Sequence, residues 1–336
     1  MRVGLDQYSL YHIPSLKGIQ VLELVQSLGM EGVQFVDIRE LSPKMDKGQL
    51  REVQAHAKQR GLYSEVGVSC INPHNAHKNL IKDGDGDLIQ GLRRHLEMIA
   101  DVSLGSRTVR FFIGGPGDRL RGGVPWRQRI EDSIAVAKSV VPVLRDLNLK
   151  LAFENHADVS THEAIEIVSK IGADVAGICF DTGNTMITIE EPLAAAKRAA
   201  PFVVATHLKD GILVFGDEGL VVSPRPVGQG LLPVAEILQV LYGANPNIAL
   251  SIEDYGMLLP VQIFNSEYVS SFAEASTVEL AQLVRLAWAC EQSMSEGVLA
   301  SPAAVERVPW SVRAMQRLEE SARFVNTVVD QLNFRS

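Results

Sequence analysis

Four residues of types that bind metal ions in proteins occur directly after short apolar runs of the sequence. They are Glu154, Asp181, His207 and Glu253. Three carboxylates and one imidazole form a mixed oxygen and nitrogen donor set, which suits Mn²⁺, Mg²⁺ or Co²⁺ better than a thiol-preferring metal. Each residue alone is better explained as a helix cap or a loop residue. Four of them at successive strand ends predict one divalent-metal site, with Mn²⁺ as the preferred ion.

The elements that must position these residues follow a repeated pattern of short apolar runs and amphipathic stretches, which is typical of parallel βα units. The apolar runs predict eight strands, at residues 3–5, 32–36, 63–69, 108–113, 150–153, 175–180, 203–208 and 249–252. The amphipathic stretches predict helices at residues 16–28, 47–60, 88–104, 126–147, 162–171, 190–200 and 233–241. Ser160 and Glu163 have the spacing of a capping box at the start of one helix. This pattern predicts an α/β fold, a single (β/α)8 TIM barrel whose strands all end at one active-site mouth.

The length of the chain, 336 residues, exceeds that of a minimal barrel. We expect a barrel over residues 1–275 and a C-terminal helical extension over residues 276–336, with helices at 278–294 and 312–332. The extension could cover the barrel floor, shape the rim of the pocket or contact a partner chain.

Composition and charge exclude several classes of function. The formal net charge is −8 and no segment concentrates Lys and Arg, so we expect no nucleic-acid partner. No apolar run is long enough to cross a membrane, and the first residues do not resemble a signal peptide. Three widely spaced cysteines do not form a disulfide framework or a metal knuckle. We therefore expect a cytoplasmic protein with no membrane partner.

Further polar residues are candidates for contact with a substrate. His156 lies two positions after Glu154 and is a candidate general base or acid, although it could instead only support the loop. Asn184, Lys209, His74 and Arg110 are candidate substrate-binding residues at strand ends. For Lys209 a solvated loop position is an equal alternative, and His74 belongs to a His-x-x-His pair with His77 that more simply lines a pocket.

Five motifs together resemble the xylose-isomerase-like superfamily of TIM barrels, which contains sugar isomerases, epimerases and AP-endonuclease-like proteins. The motifs are Phe153-Glu154-Asn155-His156, the run from Val175 to Asn184, His207-Leu208-Lys209-Asp210, Val227-Gly228-Gln229-Gly230 and Ser251-Ile252-Glu253. The resemblance covers the chain from the first to the eighth predicted strand, and the segment after about Gly256 carries none of the motifs. It implies a metal held by Glu154, Asp181, His207 and Glu253.

The resemblance also implies a type of chemistry. In the epimerases of the superfamily two metal-bound glutamates exchange a proton with the substrate, and Glu154 and Glu253 match them as catalytic residues. Asn184 departs from the ketose 3-epimerase pattern, in which a histidine is common. Together with His156 and the long C-terminal segment, this departure resembles the lyases of the superfamily, such as the α subunit of C-glycoside deglycosidases and oxo-sugar-acid decarboxylases.

The favoured hypothesis is therefore a metal-dependent lyase that removes a proton beside a metal-polarised ketone of a 3-oxo-sugar or its glycoside. The alternative is a ketose isomerase or 3-epimerase, and more remote alternatives are a metal-dependent DNA-repair endonuclease and a sugar-binding protein. We expect a sugar or sugar-derived ligand, and either a homo-oligomer or a complex with a smaller β subunit.

Overall fold

Eight apolar segments form parallel strands of a nearly closed barrel in the computed structural model, which describes residues 1–334. Eight of the eleven strands belong to the barrel, namely β1 to β7 and β10. The strands are β1 (Arg2–Asp6), β2 (Gly32–Phe35), β3 (Tyr63–Val66), β4 (Thr108–Phe111), β5 (Lys150–Glu154), β6 (Ala176–Asp181), β7 (Val203–Leu208), β8 (Asp210–Gly216), β9 (Gly219–Arg225), β10 (Ala249–Ile252) and β11 (Leu259–Val261).

The order of the barrel strands is β3-β2-β1-β10-β7-β6-β5-β4, and every neighbouring pair is parallel. The two outer strands of this order, β3 and β4, approach each other, and the amide of Val68 donates to the carbonyl of Arg110 at 2.9 Å. The prediction of a TIM barrel from eight apolar runs is confirmed. The runs were continuous because these strands are covered on both faces, as in other parallel sheets.

Helices surround the barrel, and none of those described is long and apolar enough to cross a membrane. They are α1 (Ile19–Ser27), α2 (Lys47–Gln59), α3 (Lys78–Asp83), α4 (Leu88–Val102), α5 (Trp126–Ser139), α6 (Val141–Asp146), α7 (Thr161–Ile171), α8 (Asn184–Ile187), α9 (Pro192–Ala199), α10 (Val234–Ala244), α11 (Ser266–Ser271), α12 (Thr277–Ser295), α13 (Pro302–Glu306) and α14 (Trp310–Gln331). The predicted capping box is present, because Ser160 and Glu163 exchange side-chain to backbone hydrogen bonds at the start of α7.

The single helix predicted over residues 126–147 is wrong, since the structure has two helices that meet at Val140. Pro142 lies in the first turn of α6. A proline has no amide hydrogen, so it cannot continue the hydrogen bonds of a preceding helix but fits the start of a new one.

A small antiparallel sheet of β8, β9 and β11 was not predicted from the sequence. It begins one residue after β7, so Asp210 is not a solvated loop residue. The Asp210 carboxylate is buried and accepts hydrogen bonds from the amides of Gly211, Gly228, Gly230 and Leu232 at 2.8 to 3.1 Å. The segment Gly228-Gln229-Gly230 is therefore held by the first residue of the hairpin.

The two longest helices of the C-terminal segment pack at two different places, one on the small antiparallel sheet and one on the barrel. Helix α12 packs against β8, whereas α14 packs against β1 and β10. The Asn326 side chain of α14 also donates to the carbonyl of Gly29, directly after α1. Helix α14 thus occupies the place of the helix that closes a (β/α)8 barrel. Along the chain, the segment from β11 to α13 comes between the last barrel strand, β10, and this helix.

A buried ion pair fixes α14 next to the predicted metal site. Arg317 donates two hydrogen bonds of 2.7 Å to the carboxylate of Asp254, the residue after the predicted ligand Glu253. Both side chains are less than a tenth exposed.

Replacing Arg317 with leucine is expected to lower the free energy of unfolding by about 3 kcal/mol, because it leaves a buried carboxylate without its partner. Denaturant unfolding checks this value. The control is Arg145→Leu, which breaks the exposed pair with Asp174 and should leave the unfolding midpoint unchanged. Equal midpoints for the two variants would show that the buried pair does not hold the helix.

Candidate metal centre

The four predicted ligands meet at the carboxyl ends of their strands. Glu154 ends β5, Asp181 ends β6, His207 lies in β7 and Glu253 follows β10. One ligand atom from each residue lies within 4.8 Å of every other, and all four side chains are buried. The Nδ1 atom of His207 is 2.7 Å from Glu253 Oε2 and 3.1 Å from Glu154 Oε1. This buried carboxylate and histidine cluster fits a divalent-metal site.

Local hydrogen bonds hold the Asp181 ligand in place. Asn155, at the end of β5, donates to the carbonyl of Asp181 at 2.9 Å and accepts from its amide at 2.7 Å, which ties the ends of two ligand-bearing strands together. The side chain of Asn184 donates to Asp181 Oδ2 at 2.8 Å, and the amides of Gly183 and Asn184 donate to Oδ1. Asn184, a predicted substrate-binding residue, therefore also orients a ligand.

Two cations lie against the ligand carboxylates. Arg110 Nε is 3.2 Å from Glu154 Oε2, and Lys209 Nζ is 2.6 Å from Asp181 Oδ2 and 3.0 Å from Glu253 Oε1. Both cations are buried, so the alternative of a solvated loop position for Lys209 is wrong. They were predicted as substrate contacts, and they also line the cavity above the cluster.

The charges of the cluster shift its pKa values. Burial raises the pKa of Glu253, but Lys209 opposes burial and lowers that pKa to about 2. Burial likewise raises the pKa of Glu154, yet Arg110 brings it well below the usual value. For Asp181 burial prevails over the attraction of Lys209, and its pKa lies above the usual value. The two cations thus offset the effect of burial on the pKa at Glu154 and Glu253 but not at Asp181.

The donor set and its charge both fit a divalent cation. Four carboxylates contact His207, namely those of the ligands and that of Asp6, whose Oδ2 is 3.1 Å from His207 Nε2. Arg110 and Lys209 balance two of them. Two negative charges remain when His207 is neutral, which is the form in which a histidine binds metals. One divalent ion would balance these two charges.

Residues from the first two strands complete the cluster. Gln34 of β2 lies with its Oε1 atom 2.6 Å from His207 Nε2, opposite Asp6 of β1. Gln34 was missed from the sequence because it lies within an apolar run and is not an acid or a histidine. Its place near the end of a barrel strand was the signal that could have identified it.

A cavity of about 380 Å³ lies above the cluster and contains most of the predicted site residues. The predicted residues that line it are Glu154, Glu253, His156, Asn184, Lys209 and Arg110, and Tyr8, Tyr255, Met257 and other side chains line it as well. Of the pair of histidines that was expected to line a pocket, His77 lines this cavity. His74 does not line it. Its Nε2 atom lies 2.6 Å from Asp132 Oδ2 near the surface, and His77 faces the cavity in its place.

The imidazole of His156 is held in one orientation by a backbone carbonyl. Its Nδ1 atom is 2.7 Å from the carbonyl of Gly114, and its ring lies 5.0 Å from that of Phe112. A carbonyl can only accept a hydrogen bond, so Nδ1 carries the proton in the neutral ring and Nε2 is left as an acceptor. His156 thus has a free basic nitrogen in a residue that lines the cavity.

A (β/α)8 barrel with a buried carboxylate and histidine cluster at its mouth defines the general class of this protein. The chain belongs to the xylose isomerase-like TIM barrel family, whose model matches residues 22–267. The match includes all four predicted ligands.

One of the curated relatives is a decarboxylase. The chain is 28% identical over 127 residues to the 3-oxo-isoapionate decarboxylase of Pectobacterium atrosepticum. The aligned region covers 37% of this chain and 46% of the relative. The chain spans less than half the length of the curated relatives it matches.

Solved structures share the fold at low identity. An L-ribulose 3-epimerase superposes with a TM-score of 0.59 at 13% identity, over 99% of this chain and 95% of that one. The IOLI protein, solved with a bound zinc atom, gives a TM-score of 0.55 at 14% identity over 85% of this chain and 99% of that one. At these identities the likeness establishes the barrel fold alone.

Proposed function

We propose that this protein is a divalent-metal-dependent carbohydrate enzyme that removes a proton beside a ketone, and that it acts as a lyase on a 3-oxo-sugar or its glycoside. The observation that carries the proposal is the convergence of Glu154, Asp181, His207 and Glu253 beneath a cavity lined by His156. The similarity to a 3-oxo-isoapionate decarboxylase supports the substrate class.

When bound, the cation, with Mn²⁺ preferred over Mg²⁺ and Co²⁺, supplies polarisation of a carbonyl and stabilises negative charge next to it. The chain supplies the proton transfers. Glu253 is held ionised by Lys209 and can accept a proton, and Glu154 is held ionised by Arg110. His156 offers Nε2 as a further acceptor on the cavity wall.

The lyase is favoured because His156 adds a third proton-transfer group to the two glutamates that line the cavity. Breaking a bond to a leaving group requires a base that takes the proton and an acid that protonates the departing atom. Glu154, Glu253 and His156 suffice for both roles. The second candidate is a ketose isomerase or 3-epimerase, which needs only a pair of ionised glutamates, and Glu154 and Glu253 both line the cavity.

Removal of the metal is expected to abolish turnover. After dialysis against a chelator, activity on a 3-oxo-sugar should fall by about a hundredfold or more and return when Mn²⁺ is added. The melting temperature should also rise with Mn²⁺, because an ion that binds only the folded chain stabilises it. Elemental analysis gives the metal content, and undiminished turnover by metal-free protein would overturn the metal-dependent function.

The reaction products distinguish the lyase from the ketose isomerase or 3-epimerase. Incubation of the Mn²⁺-loaded enzyme in deuterated water with a 3-oxo-sugar, an aryl glycoside of a 3-oxo-sugar and a ketose distinguishes them by NMR. Release of the aryl group supports the lyase. Reversible ketose interconversion with deuterium incorporated beside the carbonyl, and no cleavage, supports the epimerase.

A further inference from the structure

A groove of about 500 Å³ lies against α14. Its lining residues come from the end of β9 and the turn after it, from the segment between α12 and α13, and from the region of α13 and α14. No residue within 1–334 lines both this groove and the cavity above the metal centre. The groove is therefore separate from the cavity of the proposed substrate.

Part of the groove is apolar and open to solvent. Its aliphatic side chains are Val298, Leu299, Ala300, Ala304, Val305 and Val308. Val298 is 79% exposed and Val308 is 44% exposed, so both are in contact with water. A ligand with an apolar body would remove this surface from water, which is favourable.

Three arginines, Arg225, Arg313 and Arg317, line the same groove. Arg317 pairs with Asp254, as described above. Arg225 is 6% exposed, and its guanidinium donates to one serine hydroxyl and to two backbone carbonyls. These partners are neutral, and Arg225 forms no ion pair with a carboxylate within residues 1–334. Its charge is therefore not compensated by a neighbouring anion.

The guanidinium of Arg313 has no hydrogen-bonding partner among the residues that the structure describes. Its Nε atom is buried, whereas its two terminal nitrogens are accessible to solvent. The contact that orients the group is with the ring of Trp310, whose centroid lies 5.5 Å from the guanidinium carbon. An aromatic ring attracts the cation but accepts none of its in-plane hydrogen bonds. The terminal nitrogens of Arg313 are therefore available to a ligand in the groove.

Two glutamates lie near these arginines, but neither forms an ion pair with them in the described chain. The two carboxylate oxygens of Glu320 accept hydrogen bonds from glutamine side chains, at 2.9 and 2.8 Å. Burial and the charges of the other two arginines lower the pKa of Arg225 to about 10, and the nearby Glu306 opposes this shift only in part. The arginines thus repel one another, and a bound anion would relieve that repulsion.

We propose that the groove binds a small organic acid, whose carboxylate pairs with Arg313 and whose apolar body covers Val298 and its aliphatic neighbours. A guanidinium and a carboxylate match through two parallel hydrogen bonds, and the charges of Arg225 and Arg317 add to the attraction. The bound acid lies next to Arg317, which pairs with the residue after the candidate ligand Glu253. The inference does not depend on the reaction at the metal centre.

Binding of three small probes tests the site without turnover. The affinities of benzoate, benzyl alcohol and acetate are measured by NMR titration of the intact chain with Mg²⁺ present. Benzoate should bind about tenfold more tightly than benzyl alcohol, which has the ring but not the charge. It should also bind about tenfold more tightly than acetate, which has the charge but not the ring.

Replacement of the free guanidinium tests the position of the carboxylate. Arg313→Gln should weaken benzoate binding by about tenfold and leave benzyl alcohol unaffected. Arg313→Lys should restore part of the affinity, because lysine keeps the charge but not the two parallel donors. The matched control is Arg323→Gln, which removes an exposed arginine of the same helix outside the groove and should leave benzoate binding unchanged. Thermal melting confirms that each variant folds.

A charge placed in the apolar part tests the position of the ring. Val298→Asp should weaken benzoate binding by about fivefold or more, because it adds a like charge beside the ligand. Val278→Asp changes a valine that is 65% exposed elsewhere on the surface and should have no effect. Benzoate that binds no more tightly than benzyl alcohol, or binds equally well to Arg313→Gln, would overturn the site. An equal loss in Arg313→Gln and Arg323→Gln would do the same, since it would show attraction to the general charge of the helix.

Discussion

Glu253→Gln is expected to lower kcat/KM by roughly a thousandfold, and Glu154→Gln by a similar factor, because a positioned acid or base typically contributes between about a hundredfold and ten-thousandfold. The amide keeps the shape of each side chain but cannot accept the substrate proton, and it removes one charge from the metal site. Glu253→Gln also removes one of the two carboxylates that Lys209 contacts, and Glu154→Gln removes the carboxylate that Arg110 contacts. Steady-state kinetics with Mn²⁺ in excess gives the value.

Asp254→Asn provides a control for the loss of a buried carboxylate beside the site. Asp254 follows Glu253 directly, but its carboxylate pairs with Arg317 and does not belong to the ligand set. We expect this variant to be less stable and still active at temperatures where it is folded. Near wild-type kcat/KM in both glutamine variants would refute the assignment of Glu154 and Glu253.

His156→Ala is expected to keep the metal and to lower kcat by about a hundredfold or more, because it removes a free basic nitrogen from the cavity without removing a ligand. Elemental analysis of the purified variant and kcat with saturating substrate are the two measurements. A pH profile adds a further test, since loss of a catalytic histidine removes its ionisation from the profile of kcat.

His74→Ala is the matched histidine control. His74 pairs with Asp132 near the surface and does not line the cavity, so its removal should leave kcat and metal content unchanged. If His156→Ala loses the metal, His156 supports the centre instead of taking part in proton transfer. If it keeps full activity, the imidazole has no part in the reaction.

The convergence of the four candidate ligands could be predicted because a barrel brings the ends of all its strands to one face. Glu154, Asp181, His207 and Glu253 each follow an apolar run, and the structure brings all four together. The direction of loop side chains could not be predicted in the same way. The side chain of Asn72 accepts from the amide of His74 and donates to the carbonyl of Ile113, and these bonds shape the loop so that His77 faces the cavity.

The burial of charged side chains could not be predicted from sequence patterns either. Lys209 looks like a surface residue because lysine is rarely buried without a partner. Its partners, Asp181 and Glu253, are 28 and 44 positions away in the sequence and become neighbours only when the barrel forms. The hairpin of β8 and β9 did leave a signal, since Gly216-Asp217-Glu218-Gly219 separates two apolar runs at the spacing of a two-residue turn.

The small antiparallel sheet restricts how the chain can change in evolution. Only Leu208 and Lys209 separate the ligand His207 from β8, whose first residue, Asp210, binds four backbone amides. An insertion or deletion at this junction would move a metal ligand. The exposed hairpin tip at Asp217-Glu218 is hydrogen-bonded to Gln262 and Phe264 and not to any of the four candidate ligands. Among homologous sequences, length differences should therefore accumulate at the tip and be excluded from the junction, so that a sequence alignment alone can recognise relatives that retain this sheet.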